Sequence, residues 1–336
     1  MTVPGLTVAV TGPTGEIGVP FIRALEETPQ VGRVLAMARS AFAPEQFGWT
    51  KTEYRQGDIL DRDAVDDLVR GCDAVVHLAF IVVKASAGSA DINIEGSRNV
   101  FGATVDARVP RLLYTSSVAA YGYHEDVTGP LTEDMATRGS ERHAYSHQKA
   151  EVERVLDETL QGGDTLAWVF RPCVVAGPDA PALLHQMPYH RFANVVPRPL
   201  RALPLRRFGV KPLLPDPGIP LQLVHHDDVA NALVAGVLGQ GAPGIYNLAG
   251  DGEIHLRDIA NALGWYTFPV PRGSVGVAAR ALSFVPPFAT EAGWLQAMRT
   301  PMLMDTSRAR QELGWKPLYS SRETLTDLVR AYRSSR

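Results

Sequence analysis

The stretch Thr11-Gly12-Pro13-Thr14-Gly15-Glu16-Ile17-Gly18 lies between a short apolar run and a segment with the spacing of a helix. Its three glycines suit a tight turn, a close approach of the backbone to a pyrophosphate, and close packing of a helix on a strand. The first amides of the helix would then face the phosphates. Glycines at this spacing also arise by chance, so the position directly after a strand carries the prediction. The alternative is a purely structural glycine turn.

Strand-like and helix-like segments alternate along the first half of the chain. Because the strand runs are apolar on both faces, they indicate a parallel sheet that is covered by helices on both sides. We therefore predict an α/β fold, a doubly wound parallel sheet of the Rossmann type with a smaller, mostly C-terminal substrate-binding portion. The predicted strands are residues 6–10, 33–38, 53–56, 73–79, 111–116 and 166–171, and the predicted helices are residues 16–27, 61–70, 91–107 and 143–160.

The sequence changes character after Pro172. Residues 178–220 hold ten of the 25 prolines, so a long helix is not expected there. Beyond them we predict a strand at 221–224, a helix at 229–238 with Asp228 as its N-cap, a strand at 245–248, and helices near 256–263, 308–313 and 323–332. Residues 1–172 and 221–250 are predicted to form the dinucleotide-binding domain. Residues 173–220 and 251–336 are predicted to form the substrate-binding portion.

The composition is ordinary for a globular protein, with 336 residues of which 45% are hydrophobic. A net charge of −3 lacks the basic excess of nucleic-acid binders, so no nucleic-acid partner is predicted. The two cysteines cannot build a disulfide framework, and the first ten residues do not read as a signal peptide, which together fit the cytoplasm. The longest apolar run, residues 74–83, is far below the roughly 20 residues of a membrane helix, so no membrane partner is predicted.

The second predicted strand bears on the choice of cofactor. An NAD site usually has an acidic residue there for the ribose 2′-hydroxyl, but residues 33–40 contain none. Arg39 stands near the expected position and could bind the 2′-phosphate of NADP, although it could also be a solvated arginine. We predict that NADP(H) is preferred and that NAD(H) is possible. Asp58, after the third strand, could bond the adenine amino group or could cap the turn ahead of Asp61.

Tyr145 and Lys149 stand four residues apart, which places a phenol and an amine on one face of a helix. A free phenol, with a pKa of about 10, is a poor acid–base group at neutral pH. A nearby ammonium, together with the positive nicotinamide of an oxidised cofactor, is expected to favour the phenolate and to lower the pKa of Tyr145. The alternative is a surface helix with two unrelated side chains.

Two further groups of polar residues follow predicted strands. Ser116 and Ser117 end the fifth strand, where a hydroxyl could hold a substrate oxygen toward Tyr145 or could simply cap the strand. The run His225-His226-Asp227-Asp228 looks like a metal cluster. Four consecutive residues cannot all converge on one ion, so no metal site is predicted.

Taken in order, these motifs resemble the extended short-chain dehydrogenase/reductases, a group known as the NAD-dependent epimerase/dehydratase family. The resemblance covers nearly the whole chain. The motifs that carry it are Thr11-Gly12-xx-Gly15-xx-Gly18, Asp58-Ile59, His77-Leu78-Ala79, Asn93 to Val100, Ser116-Ser117 with Tyr121-Gly122, Tyr145-xxx-Lys149, Arg171-Pro172, His226-xx-Asp228-Val229-Ala230 and Leu313-Gly314-Trp315.

The resemblance implies a role for each matching residue. Tyr145 is implied as the catalytic acid–base, Lys149 as its pKa modulator and a ribose ligand, Ser117 as the residue that polarises the substrate, and Asn93 as a support of the site. His77 to Ala79 are implied to line the cofactor. The two helices at 91–107 and 143–160 are implied to form a homodimer. The implied cofactor-binding residues are Gly12, Thr14, Gly15, Glu16, Ile17, Gly18, Arg39, Asp58, Ile59, Leu78, Ala79, Tyr145, Lys149 and Pro172.

The sequence departs from nucleotide-sugar epimerases of this family at two places. It has Arg171-Pro172-Cys173-Val174 where they usually have Arg-Tyr-Phe-Asn, and it lacks their acidic residue after the second strand. These departures favour an NADP(H)-dependent oxidoreductase that transfers hydride between the nicotinamide and a small ketone or secondary alcohol. The alternatives are a nucleotide-sugar epimerase or dehydratase that uses bound NAD(P), and a cofactor-sensing binder without turnover.

Overall fold

Seven strands form one parallel sheet in the order β10-β6-β5-β4-β1-β2-β3 among the residues that the computed structural model describes, which are 5–82, 87–141, 143–185, 213–271 and 300–335. The predicted doubly wound α/β fold is confirmed. The strands of the sheet are β1 (Leu6–Thr11), β2 (Val31–Ala38), β3 (Thr52–Gln56), β4 (Ala74–His77), β5 (Arg111–Thr115), β6 (Leu166–Pro172) and β10 (Gly244–Leu248).

Helices cover both faces of this sheet. Helix α1 packs against α6 on one face, and α3 packs against α2 and α4 on the other. Residues of β1 alternate between the two layers, because Val8 and Val10 join the core under α1 while Ala9 joins the core under α3. All three are fully buried, as expected for a strand of a parallel sheet. The helices are α1 (Gly18–Glu27), α2 (Arg62–Val69), α3 (Ala87–Asp106), α4 (Ala144–Leu160) and α6 (His226–Val237).

The remaining described elements gather around a third, smaller core. They form two parallel strand pairs, β7 with β9 and β8 with β11. The pairs pack with the C-terminal helices around residues such as Leu223, Ile259 and Leu328. The division of the chain into two domains stays a prediction. These elements are β7 (Val174–Ala176), α5 (Ala182–His185), β8 (Leu213–Asp216), β9 (Leu223–His225), α7 (Leu256–Leu263), β11 (Tyr266–Pro269), α8 (Ser307–Glu312) and α9 (Ser321–Ser334).

The start of α6 differs from the prediction. Its N-cap is His225, whose Nδ1 accepts a hydrogen bond from the Asp227 amide at 3.2 Å. Asp228, the predicted cap, lies in the first turn. Its carboxylate instead accepts from the amides of Leu318 at 2.7 Å and Tyr319 at 3.2 Å. The prediction was wrong because the partner of Asp228 lies about ninety residues away in the chain, beyond the reach of a local capping rule.

Most of the proline-rich segment, residues 186–212, lies outside the described residues. No helix among the described residues is long and apolar enough to cross a membrane.

Candidate active site

The glycine turn has the shape that a pyrophosphate requires. Gly12 has φ +76°, and a Cβ built on it would lie 2.6 Å from the Ala79 amide nitrogen, so only glycine fits between β1 and the end of β4. A Cβ on Gly18 would lie 2.3 Å from the Gly12 carbonyl oxygen. These two glycines therefore bring the helix, the turn and the neighbouring strand into close contact.

Gly15, the third glycine, has open space around it, whereas Gly12 and Gly18 lie in close contact with neighbouring backbone. A Cβ on Gly15 would meet only the Gly12 carbonyl oxygen, at 3.5 Å, which is an ordinary contact. Thr14 and Gly15 are exposed, and Ile17, the N-cap of α1, makes no side-chain capping hydrogen bond. The Val19 amide donates to the Gly15 carbonyl at 3.1 Å, so the space for an anion lies at the turn just ahead of α1. The residues present fit a dinucleotide pyrophosphate at this turn.

The predicted cofactor residues after β4 lie beside the glycine turn. The Leu78 amide donates to the Thr11 carbonyl at 3.0 Å, and the Ala79 backbone packs directly against Gly12. His77 does not line this space, contrary to what the resemblance implies. Its ring is fully buried, with Nδ1 2.7 Å from the Thr11 hydroxyl and Nε2 2.9 Å from the Ser97 hydroxyl. Burial lowers the pKa of His77 to about 3, so this histidine is a neutral structural tie.

Glu16, another predicted cofactor residue, reaches away from the turn to a distant part of the chain. Its carboxylate accepts a hydrogen bond from the Ala182 amide, the first residue of α5, at 2.7 Å. Burial raises the pKa of Glu16. Pro172, also in the predicted set, is buried at the end of β6. Glu16 therefore joins the cofactor turn to the segment that follows β7.

The adenosine end of the predicted site lies at the ends of β2 and β3. Arg39 directly follows β2, and it is exposed. The Asp58 carboxylate accepts from the Leu60 amide at 3.0 Å, which is the turn-capping role weighed as its alternative. Ile59 packs under Gly96 of α3, where an added Cβ would lie 2.4 Å from it. The structure thus gives Asp58 and Ile59 structural contacts at this end.

Lys149 is buried on α4 with its ammonium group aimed at the ends of β5. Its Nζ donates to the Thr115 carbonyl at 2.8 Å and to the Tyr114 hydroxyl at 3.2 Å, and it lies 3.7 Å from the centre of the Phe80 ring. Burial lowers the pKa of Lys149 to about 7, and the Glu153 carboxylate opposes this shift only in part. Near neutral pH this lysine can therefore both accept and give up a proton.

The Tyr145 side chain forms a hydrogen bond with Ser117, but its pKa is higher, not lower, than that of a free phenol. Burial raises the pKa of Tyr145, and a hydrogen bond with the Ser117 side chain opposes the shift. Lys149 Nζ lies 6.0 Å from the centre of the Tyr145 ring and bonds instead to Tyr114 and Thr115. Desolvation of the phenolate thus outweighs the effect expected of the ammonium, and the lowering of the Tyr145 pKa by ammonium and oxidised nicotinamide together stays a prediction.

Ser117 serves the fold as well as the site. Its hydroxyl accepts from the Ala119 amide at 3.2 Å and caps the short 3-10 helix Val118–Tyr121. The capping role weighed from the sequence is therefore present, and the same side chain bonds to Tyr145, while its role toward a substrate oxygen stays a prediction. The cap fixes the rotamer that faces the phenol.

Asn93 bonds to the neighbours of the catalytic residues, Ile81 and Gln148, through its side chain. Its Oδ1 accepts from the Ile81 amide at 2.8 Å, and its Nδ2 donates to the Ile81 carbonyl at 3.1 Å and to the Gln148 side chain at 2.8 Å. These bonds hold the loop after β4, which carries Phe80, against the turn of α4 that carries Lys149. Asn93 is a positioning residue.

A buried ion pair extends the catalytic face of α4 and was missed by the sequence analysis. Glu153 lies one turn beyond Lys149. Its carboxylate accepts hydrogen bonds from Arg171 Nε at 3.0 Å and from Arg171 Nη2 at 2.5 Å. The Ser116 hydroxyl donates to the same carboxylate at 2.5 Å. Both charged side chains are almost fully buried. The available signal was the spacing of Tyr145, Lys149 and Glu153 on one helical face.

The histidine–aspartate run brings three of its four residues together. Side-chain ligand atoms of His225, His226 and Asp227 lie within 4.8 Å of one another, whereas Asp228 points to the segment before α9. Each imidazole already accepts a backbone amide, His225 at Nδ1 and His226 at Nε2. A metal ion would have to displace or retautomerise these rings. That this cluster holds no metal stays a prediction.

The lowered pKa of Lys149 predicts how stability depends on pH. Between about pH 7 and the ordinary lysine pKa of 10.5, the unfolded chain binds one proton more than the folded chain at this residue. We expect the free energy of unfolding, relative to that of Lys149→Met, to rise with pH across this range by at most about 1.4 kcal/mol per pH unit, and to be flat below it. Urea unfolding of both proteins from pH 6 to 9 measures this, and a difference that does not change with pH would contradict it.

Comparison with known proteins places this site in a family. A model of the NAD dependent epimerase/dehydratase family matches residues 8–249. The chain belongs to this family, and the resemblance drawn from the motifs is confirmed.

The relatives and structural neighbours extend over nearly the whole chain. The uncharacterized protein y4nG of Sinorhizobium fredii is 25% identical over 98% of this chain and 79% of its own length. Mycobacterial relatives are 27% identical over 98% of this chain, which spans only 30% of their length. Two solved structures show the same fold across 98% of this chain. They are dTDP-glucose 4,6-dehydratase of Bacillus anthracis in complex with NAD, with TM-score 0.72, 16% identity and 97% of that chain covered, and UDP-glucose 4-epimerase of Thermotoga maritima with UDP-glucose, with TM-score 0.71, 19% identity and 99% of that chain covered.

Proposed function

We propose that this protein is a nucleotide-sugar epimerase that uses bound NAD(P) to invert a hydroxyl-bearing carbon of the sugar. The observation that carries the proposal is the buried group of Tyr145, Ser117 and Lys149 at the strand ends next to an open glycine turn. The full-length likeness to a UDP-glucose epimerase and a dTDP-glucose dehydratase supports this substrate class. This is the alternative of the sequence analysis, now preferred to simple ketone reduction.

The residues of this chain divide the work as follows. Ser117 would hold the substrate hydroxyl against Tyr145. Burial raises the pKa of Tyr145, and the positive charge of an oxidised nicotinamide would favour the phenolate that takes the hydroxyl proton. A bound nicotinamide would supply hydride acceptance and return. Tyr145 would give the proton back to the same oxygen, and the hydroxyl would be inverted if hydride returned to the opposite face of the carbon. Lys149, with a pKa of about 7, supplies positive charge near the phenolate when it is protonated.

Epimerisation fits the described residues better than dehydration. Loss of water requires an acid that protonates the leaving hydroxyl. Val118 follows the serine pair, so the residues that directly end β5 carry hydroxyls and no carboxyl group. Glu153, the carboxylate on the catalytic face of α4, is occupied by Arg171 and Ser116. Among the described residues at this strand end, the chemistry offered is proton transfer through Tyr145.

The cofactor is proposed to be NADP(H), with NAD(H) as the weaker ligand. Arg39 is exposed directly after β2, where its guanidinium can form a charge-assisted bond to a 2′-phosphate. We expect Arg39→Ala to weaken NADP⁺ binding by about 10- to 100-fold, which corresponds to one or two such bonds, and to leave NAD⁺ binding within about twofold. Fluorescence titration of both cofactors measures this, with Arg33→Ala, an exposed arginine of the same strand paired to Glu53, as the matched control. Equal affinity for NAD⁺ and NADP⁺ in wild type and Arg39→Ala alike would contradict the NADP preference.

A second candidate is a ketone reductase with net consumption of NADPH. It is favoured by Arg171-Pro172-Cys173-Val174, which lacks the asparagine usual in nucleotide-sugar epimerases, together with Arg39 in place of an acidic residue. The fold and the catalytic residues are common to both candidates. They differ in whether the reduced cofactor leaves after each turnover.

One experiment separates these functions. The protein, loaded with one equivalent of cofactor, is incubated with UDP- and dTDP-hexoses, and epimer formation is followed by chromatography and NMR. In parallel, a panel of ketones is tested by NADPH absorbance. We expect epimer formation without net cofactor turnover. Net NADPH oxidation by a ketone would replace this function with the reductase, and cofactor binding with no turnover in either assay would indicate a sensing protein.

We also propose a homodimer formed through α3 and α4, as the family resemblance implies. Sedimentation equilibrium checks it, and a monomer at micromolar concentration would contradict it.

A further inference from the structure

Residues 38–42, the segment that carries Arg39, are fixed by hydrogen bonds from side chains of the neighbouring strand β3. These side chains are not among the predicted cofactor-binding residues. The Tyr54 hydroxyl, on β3, lies 2.8 Å from the Ala38 carbonyl oxygen and also contacts the Ser40 carbonyl oxygen. Gln56 Nε2, two residues farther along β3, donates to the Arg39 carbonyl at 2.8 Å. Three consecutive carbonyl groups at the end of β2 therefore lie within hydrogen-bond distance of two side chains of β3, with the single Tyr54 proton shared between the carbonyl oxygens of Ala38 and Ser40.

The same segment is anchored at its far end by aromatic packing. The Phe42 ring lies 5.5 Å from the Tyr54 ring and 5.7 Å from the Trp49 ring, centre to centre. Phe47 stacks on both Phe42 and Trp49, at 5.3 Å and 4.6 Å. Trp49 is buried and Phe42 and Tyr54 are partly buried against the core, whereas Phe47 is 46% exposed, so the cluster joins the segment to the edge of the core. Tyr54 thus fixes the segment twice, through its hydroxyl at residues 38–40 and through its ring at residue 42.

This arrangement restrains the backbone of the segment but leaves two of its side chains exposed to solvent. The backbone of residues 38–42 is fixed by β3 and by the aromatic cluster, whereas the side chains of Arg39 and Ser40 are exposed. A charged group on a fixed backbone loses less conformational entropy when it binds a ligand than the same group on a free loop. The 2′ position of the adenosine ribose is the only place where NADP and NAD differ.

We propose that Tyr54, with Gln56, is a positioning residue for cofactor discrimination: it holds residues 38–40 so that Arg39 and Ser40 meet the 2′-phosphate of NADP. The inference rests on the proposed function only in the NADP preference. It concerns binding at the adenosine end and does not depend on which substrate is turned over.

The test is a cofactor titration of the full-length protein with Tyr54→Phe. This change keeps the ring in the aromatic cluster and removes only the hydroxyl. We expect the Kd for NADP⁺ to rise about 3- to 10-fold, the effect of losing one bond that orders the site, and the Kd for NAD⁺ to stay within about twofold. Tyr246→Phe is the matched control, because that hydroxyl also donates to a backbone carbonyl, at Ala242, away from this segment. Gln56→Ala, an exposed position, is a second variant with the same expected direction.

Each outcome decides the matter. A shift confined to NADP⁺ in Tyr54→Phe and Gln56→Ala, and absent in Tyr246→Phe, supports the inference. Equal weakening of both cofactors would mean that Tyr54 only stabilises the fold, and unchanged affinities would mean that residues 38–40 need no support; either result overturns it. If wild type binds NADP⁺ no more tightly than NAD⁺, the NADP preference and this inference both fail, while the proposed epimerase activity is judged separately by its products.

Discussion

Replacement of Tyr145 by phenylalanine is expected to lower kcat by about 10²- to 10⁴-fold, the range for loss of a general acid–base group. The change removes the only atom through which this side chain can exchange a proton. It keeps the edge-to-face contact with Phe80, whose ring centre lies 5.7 Å away, so the fold should be retained. Steady-state kinetics with the substrate found in the product assay measures the effect.

Tyr246→Phe is the control for this experiment. It removes a hydroxyl of the same kind from β10, and it should leave kcat within about twofold, because its partners are Ala242 and Glu312. Denaturant unfolding of both variants separates a chemical effect from a structural one. Unchanged turnover in Tyr145→Phe, with the fold intact, would show that another group moves the proton.

The second large effect is expected at the buried ion pair of Glu153 and Arg171. Glu153→Ala leaves the Arg171 guanidinium buried without its partner, since the side chain of Arg171 is only 3% exposed. We expect a loss of about 3–5 kcal/mol in the free energy of unfolding, which is the usual cost of removing one member of a buried pair. Urea unfolding at pH 7 measures this loss.

The same helix offers a matched control at Glu158. Its carboxylate is paired to Arg154, but both side chains are about half exposed, so Glu158→Ala should cost roughly 0–1 kcal/mol. The double variant Glu153→Leu with Arg171→Met removes both charges and should recover much of the loss, because an apolar pair needs no desolvation of ions. Equal costs for Glu153→Ala and Glu158→Ala would contradict the importance assigned to burial.

The features that could be predicted from the sequence are those set by local spacing. The alternation of apolar runs and helices predicted the parallel sheet, and the glycine spacing predicted a turn in which Gly12 and Gly18 prove sterically required. The four-residue spacing on α4 predicted that Tyr145 and Lys149 share a face. Each of these patterns reports on neighbours within a few residues in the chain.

What could not be predicted depends on contacts between distant segments. Asp228 looked like a helix cap because its true partners, Leu318 and Tyr319, lie in another part of the chain. The sign of the Tyr145 pKa shift depends on how deeply the phenol is buried, which spacing does not reveal. Arg171 belongs to a motif in the sequence. Its pairing with Glu153 could not be predicted, because it depends on the contact between β6 and α4.

The hydrogen bond between Glu16 and the Ala182 amide has a consequence beyond holding two loops together. It joins the turn that fits the pyrophosphate to α5, which lies in the part of the chain predicted to bind substrate. Any ligand that strengthens or weakens this bond on one side changes the energy of the other side by the same amount, since such coupling is reciprocal. If the nucleotide sugar binds next to α5 as predicted, we expect the Kd for the cofactor to change when the nucleotide sugar is present.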